Sequence, residues 1–177
     1  MEVAATLRTP DGRIGFLLLC GYFKASGKFY YPHDFHERDI CVVIKKLGLD
    51  DSSFLPDSYA KQTRARHHKI ILDFYGFSSF DECAKEMLSD EIRANARAHL
   101  KPRLIFDRST DFLVQNRIQI PQSGTIIEMI RTGLQARKTE LIALIEANLT
   151  DEARTLLEQL FTAPDEQSRY RLTLLKK

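Results

Sequence analysis

Apolar side chains recur along this chain at the spacing of an α-helix. The clearest run is Ile40, Val43, Ile44 and Leu47, which stand at positions i, i+3, i+4 and i+7 and are followed by Gly48. This spacing places the four side chains on one helix face, and glycine readily adopts the left-handed conformation that ends a helix. Alternating β-branched residues, the pattern of a strand, are nearly absent. The pattern therefore predicts an all-α fold.

Glycines, prolines and capping residues divide the chain into a series of predicted helices. The helices cover about residues 13–24, 40–47, 60–75, 80–98, 102–115, 123–148 and 151–161. Pro102 suits the first turn of its helix, and Gly76 suits the end of the third. Residues 50–55 are predicted to form a turn or a single helical turn, because Pro56 limits any longer helix there.

This order of helices predicts two tandem modules of helix-turn-helix type plus C-terminal helices. The first module spans residues 1–76 and the second residues 77–149, and residues 150–177 hold a C-terminal helix and a frayed tail. Helical spacing also predicts which side of the third helix faces the core. That side carries His67, Ile70, Ile71, Phe74 and Tyr75.

Composition is that of an ordinary folded protein. Of the 177 residues, 44% are hydrophobic and 28% charged, which is too apolar for a disordered chain. Cys20, Cys41 and Cys83 each fall in an apolar stretch, so we expect buried free thiols, as in a reducing cytoplasm. No long apolar run or signal-peptide pattern is present, which predicts a cytoplasmic protein without a membrane partner.

Charge is informative only through its distribution, because the net charge is just +2. Between Asp57 and Asp73 no acidic residue interrupts a basic stretch. On a helix, Lys61, Arg64 and His68 share one side, away from the apolar side. Long cations there can reach phosphates, and polar residues near the helix start can reach base edges. The residues of this stretch that we predict to bind DNA are Lys61, Gln62, Thr63, Arg64, Arg66, His68 and Lys69.

A second candidate follows the turn at residues 116–121, where one predicted helix ends and another begins. The free backbone N–H groups at the start of a helix attract phosphate. The predicted contacts here are Gln122, Ser123, Thr125 and Arg131. Both candidates have a plainer interpretation, in which Ser123 is only a helix cap and the basic residues form a solvated face.

Catalytic and metal sites are not predicted. His33 and His36 lie near Asp34 and Glu37, but no further ligand follows at metal-site spacing, and an exposed loop is the better interpretation. Asp107 and Asp111 are flanked by arginines and favour surface ion pairs. A glycine-rich phosphate loop and a nucleophile elbow are both absent, so we predict no cofactor, no metal, no small-molecule substrate and no enzymatic activity in this segment.

Four stretches together resemble the N-terminal region of the large replicative transposases of the Tn-three family. They are residues 13–16 leading to 23–29, residues 47–49, residues 64–67 through to 76–77, and residues 117–121, and their order and spacing agree with that family over roughly residues 13 to 160. The family usually has more residues ahead of the position of Arg13 than the twelve that stand here.

The resemblance implies a segment that binds the terminal inverted repeats of a transposon as double-stranded DNA. A metal-dependent catalytic domain would lie elsewhere in a longer transposase, with self-association through the full-length protein, and this chain would be a fragment or a truncated product of it. The alternative is a helical protein-interaction or scaffold module, in which the apolar stripe of residues 123–148 pairs with a partner helix.

Overall fold

The computed structural model describes residues 7, 9–50 and 54–161, without the side chains of the last two, and these residues are all helical apart from turns and loops. Seven α-helices follow one another: α1 (Pro10–Ser26), α2 (Glu37–Leu47), α3 (Lys61–Tyr75), α4 (Glu82–Arg97), α5 (Pro102–Gln115), α6 (Ser123–Asn148) and α7 (Asp151–Phe161). Two short 3₁₀ helices lie at Pro32–Asp34 and Pro56–Ser58. The predicted all-α class is confirmed, and the predicted frayed tail beyond Pro164 lies outside the described residues.

The chain divides into two compact units, residues 1–133 and residues 134–177. The boundary falls within α6, so it does not coincide with a loop. The predicted modules, which end at residues 76 and 149, divide the chain at other positions than these two units. The modules stay predictions. In the described part of the chain, no helix is long and apolar enough to cross a membrane.

Helices α1, α2 and α3 surround the first core. α1 packs against both α2 and α3, and Ile14, Leu19, Ile44 and Ile71 are almost completely buried between them. Each helix ends at a glycine in the left-handed conformation, with φ between 65° and 70° at positions 27, 48 and 76. The predicted ends of these three helices are therefore confirmed. α1 begins at Pro10 rather than near Arg13, because Thr9 caps it through a hydrogen bond from the Gly12 N–H.

Some predicted core positions are exposed. Phe74 is 70% exposed, because the buried stripe of α3 is centred on His67 and Ile71, and Phe74 lies at its edge. Cys41 and Cys83 are also exposed, and Cys20 is half-buried, so the prediction of buried thiols is wrong. Lying next to a buried residue in an apolar stretch does not bring a side chain onto the same helix face.

Helices α4 and α5 pack against each other and carry a second set of buried residues. Leu88, Ile105 and Leu113 are completely buried. α6 joins this group within the first unit, because a Cβ on Gly133 would lie only 2.7 Å from Cγ2 of Ile92. α6 therefore packs against α4 at Gly133.

Gly15 marks a close approach between α1 and the ring of Tyr59. A Cβ at this position would overlap the ring, which is itself buried. We expect Gly15→Ala to lower the free energy of unfolding by about 1–3 kcal/mol, measured by urea denaturation. Gly21 is the matched control, since it lies on the same helix with nothing near its Cβ position. Gly21→Ala should raise stability by about 0.5–1 kcal/mol, and equal effects of the two changes would contradict the close approach.

Candidate nucleic-acid interface

The N-terminus of α3 has no side-chain cap. Ala60 occupies its N-cap and offers no side-chain hydrogen bond, and the first turn contains no acidic residue. Side chains of Thr9, His36 and Asp81 cap α1, α2 and α4, whereas α5, like α3, has no side-chain cap and no acidic residue in its first turn. The uncapped N–H groups and the positive end of the helix dipole make the N-terminus of α3 attractive to an anion.

The exposed face of α3 differs from the side predicted from sequence. Gln62, Arg66 and Lys69 are exposed at successive turns. Lys61 is exposed at the helix start. Thr63, Arg64 and His68 are half-buried toward the packed side. The expectation that Lys61, Arg64 and His68 share a free side is therefore corrected, because the neighbouring helix and loop cover part of it.

Among the described residues, the cations on α3 have no carboxylate partner, whereas several cations on α4 and α6 do. On α4 and α6 the ion pairs are local: Lys85 with Glu82, Arg93 with Asp90, Arg131 with Glu128 and Arg137 with Glu140, at 2.7 to 3.3 Å. Within the described residues, Lys61, Arg64, Arg66 and Lys69 have no ion pair or side-chain hydrogen bond. Lys61, Arg66 and Lys69 are exposed and available to an external anion, whereas the Nε of Arg64 is buried.

His67 is a core residue. Its ring is completely buried, and its Nδ1 shares a hydrogen bond of 2.5 Å with the hydroxyl of Tyr59. Burial, and then the positive charge of Arg66, lowers the pKa of His67 to about 4. Burial likewise raises the pKa of Tyr59 well above its usual value. This pair is therefore neutral near pH 7 and stabilises the core.

His68 also packs inside the protein, although it was predicted to bind DNA. Its ring stacks on Phe29 with centroids 3.9 Å apart and planes 6° from parallel. Burial, and then the charge of Arg64, lowers the pKa of His68 to about 4. Its Nε2 is buried and has no hydrogen-bond partner among the described residues. A neutral stacked ring can position α3, but it supplies no charge to a phosphate.

At the second candidate region, the predicted residues differ in what they contact. α6 begins at Ser123, which is half-buried, while Gln122 and Thr125 are exposed. The side-chain amide of Gln122 donates a hydrogen bond of 3.2 Å to the carbonyl of Phe29. Arg131 is exposed but pairs with Glu128 at 2.7 Å, so its charge is partly compensated.

Phe29 brings the two candidate regions together. Its ring lies on His68 of α3, and its carbonyl accepts the amide of Gln122 just before α6. Sequence reasoning missed this residue and treated the regions as separate modules. No local pattern could have found the contact, because Phe29 and Gln122 are 93 positions apart.

Metal ligands are not grouped in the described part of the chain, where no three His, Cys, Asp or Glu side chains come close enough to hold an ion. His33, one of the residues weighed as a ligand, instead forms an exposed ion pair of 3.1 Å with Asp57 when protonated. The chemistry offered by this surface is therefore that of anion binding by lysine, arginine and backbone N–H groups.

An all-helical domain with exposed cations on a helix whose start is uncapped belongs to the class of candidate nucleic-acid-binding domains. The chain belongs to the family described as "Domain of unknown function (DUF4158)", whose model matches residues 1–133. That match ends at the last residue of the first compact unit.

A curated relative carries a more specific name. The transposase for transposon Tn1546 from Enterococcus faecium is 23% identical over 181 residues, which cover 100% of this chain and 18% of the transposase. The chain thus spans less than a fifth of the length of this relative.

Proposed function

We propose that this chain binds double-stranded DNA through α3, as the non-catalytic N-terminal part of a transposase of the Tn-three family that recognises terminal inverted repeats. The observation that carries the proposal is the set of α3 cations that have no carboxylate partner among the described residues, next to an uncapped helix start. The similarity to a named transposase supports the biological setting. Strand breakage and joining would belong to another part of the polypeptide, and the DNA would be met in the bacterial cytoplasm at the nucleoid.

A helix of this length suits the major groove of duplex DNA. Its 15 residues extend about 22 Å, and the groove is about 12 Å wide, enough to admit a helix. We assign phosphate contacts to Lys61, Arg66 and Lys69, which are exposed. Gln62 and Arg64, in the first turn, are the proposed base contacts. The Nε of Arg64 is buried without a hydrogen-bond partner among the described residues, so the proposed contact is made by its two terminal nitrogens.

The remaining predicted residues have secondary roles in this proposal. Thr63, Ser123 and Thr125 would contact the sugar-phosphate backbone near the two helix starts. His68 and Gln122 would support the interface through Phe29, which both of them contact. Arg131 would contribute least, because Glu128 already offsets its charge.

Titration of the chain against two duplexes tests the proposal. One carries the terminal repeat of the element that encodes the chain, and the other is a scrambled duplex of equal length and composition. We expect tighter binding to the repeat, with affinity declining steeply as salt rises, by about 0.9 in log affinity per log salt for each phosphate contact. Equal affinity for both duplexes would rule out recognition of the repeat.

Arg64 provides a residue-level prediction. We expect Arg64→Ala to weaken binding to the repeat by about 1–3 kcal/mol, because a bidentate contact to guanine is lost. Binding to scrambled DNA should change much less. Arg93→Ala is the matched control, since Arg93 is an exposed cation of α4. Equal losses on both duplexes would make Arg64 a phosphate contact instead.

A protein-interaction module is the second candidate function. The second unit supports it, because Ile142, Leu144 and Ile145 of α6 and Leu156 and Leu157 of α7 are each at least 41% exposed. Helices with exposed apolar residues are common docking elements for partner helices. A defined oligomer in light scattering, together with no DNA binding at low salt, would favour this function.

A further inference from the structure

A set of backbone hydrogen bonds connects three segments that are far apart in sequence. The Ser78 N–H donates to the Arg117 carbonyl at 2.8 Å, and the Gln119 N–H donates to the Ser78 carbonyl at 2.9 Å. The Ile120 N–H donates to the Gly27 carbonyl at 2.9 Å. We call these three hydrogen bonds the joint. It fastens the segment before α6 to the ends of both α1 and α3.

The joint is also packed by side chains. Ile118 and Ile120 are at most 9% exposed. A Cβ on Gly27 would lie 3.2 Å from Cδ1 of Ile120, so the two segments are in close contact. Arg117 adds a hydrogen bond of 3.4 Å from its guanidinium to the carbonyl of Tyr75. Ser78 and Arg117 themselves are exposed, so the apolar packing of the joint comes from Ile118 and Ile120.

Phe29 extends this connection to the DNA-binding elements themselves. Its ring stacks on His68 in the middle of α3, and its carbonyl holds Gln122 at the entrance to α6. The start of α6 is thus fixed to α3 both through the joint and through Phe29. Nothing in this arrangement resembles a flexible linker between two independent modules.

We propose that the joint and Phe29 hold α3 and the start of α6 as one rigid reader, with Gln122 as a positioning residue rather than a base contact. This inference rests on the proposed DNA-binding function. A rigid reader requires the bases read by α3 and the phosphates contacted by the start of α6 to stand at one fixed spacing and rotation along the duplex. Modules on a flexible linker would tolerate an altered spacing.

A scan of single base-pair insertions through the repeat tests the rigid reader. Each insertion lengthens the duplex by about 3.4 Å and rotates one side of the site against the other. We expect every insertion inside the protected region to weaken binding about tenfold or more. An interior position at which insertion changes affinity by less than about twofold would overturn the rigid reader. Failure to prefer the uninterrupted repeat over scrambled DNA would instead overturn the proposed function itself.

Substitutions of Thr125 and Gln122 test how the start of α6 takes part in DNA binding. Thr125→Glu should weaken binding about tenfold and shorten protection at one end of the hydroxyl-radical footprint, because it places a negative charge at the start of α6. An unchanged affinity would overturn the inference. Gln122→Ala should weaken binding to the repeat and to scrambled DNA by the same small factor, since Gln122 contacts Phe29 and the joint still holds the start of α6. A loss much larger on the repeat than on scrambled DNA would mean that Gln122 reads a base, which overturns its positioning role. Gln135→Ala, an exposed position of the same helix, is the control.

Hydrogen exchange gives a readout that does not depend on DNA. The amide of Ile120 should be protected about as strongly as that of the buried Leu113, and the amides of Ser78 and Gln119 should be protected less strongly, because Ser78 is exposed and Gln119 is half-buried. Rapid exchange at these amides would overturn the joint, whatever the DNA results. Protection should persist in Gln122→Ala, which removes only the contact with Phe29.

Discussion

Reversal of charge at Arg66 and Lys69 should greatly weaken binding to the terminal repeat. We expect the double variant Arg66→Glu, Lys69→Glu to bind at least about a hundredfold more weakly, since two phosphate contacts are replaced by repulsion. The dependence of log affinity on log salt should become shallower by about 2, one unit for each lost contact. Fluorescence anisotropy over a range of salt concentrations measures both quantities. The size of the effect follows from the absence of any carboxylate on α3 that pairs with these cations in the described residues.

A matched variant separates the site from general electrostatics. Lys85→Glu with Arg93→Glu changes the net charge by the same amount, at exposed cations of α4 that already pair with acidic neighbours. This control should bind nearly as the unchanged chain does, because loss of exposed ion pairs has little effect on folding. Equal weakening by both double variants would mean that α3 is not the DNA-binding element.

Mild acid should destabilise the fold through two histidines. His67 and His68 have pKa values near 4 in the folded chain and near 6.5 when unfolded. Between pH 6.5 and pH 4 the unfolded state therefore binds protons that the folded state does not, and stability falls as the pH falls. The slope is up to about 1.4 kcal/mol per pH unit for each imidazole. The Nε2 atoms of both rings are buried without hydrogen-bond partners among the described residues, which is consistent with neutral rings.

Urea unfolding at a series of pH values measures this effect. His67→Gln should flatten the decline of stability between pH 6.5 and pH 4, whatever its effect at pH 7. His99→Asn is the control, because His99 is exposed and asparagine tolerates its positive φ of 55°. An unchanged slope in His67→Gln would show that the buried imidazole does not resist protonation.

Local rules predicted the helices well, since their signals lie within a few residues. The apolar spacing around Ile44 and the glycines at positions 48 and 76 act within one or two helical turns, and the structure agrees there. The start of α1 was placed too late, because the Thr9 cap and Pro10 precede the first apolar residue of the pattern.

The site was predicted only in outline. The acid-free stretch identified α3 as the unusual helix, because charge is visible in the sequence. Which of its residues are free depends on neighbours distant along the chain: Phe29 covers His68, and Tyr59 holds His67. Spacing on a helix gives relative directions, and only packing decides which direction is solvent.

The joint also has a consequence for the order in which the chain acquires structure during synthesis. Helices α1, α2 and α3 can associate once residue 76 has left the ribosome, since their contacts lie within that stretch. The carbonyl of Gly27 receives its partner only when Ile120 has emerged. A nascent or truncated chain that ends before Ile120 would contain α3 without the hydrogen bonds of the joint. Contacts between residues so far apart in sequence form late, because long loops must close first.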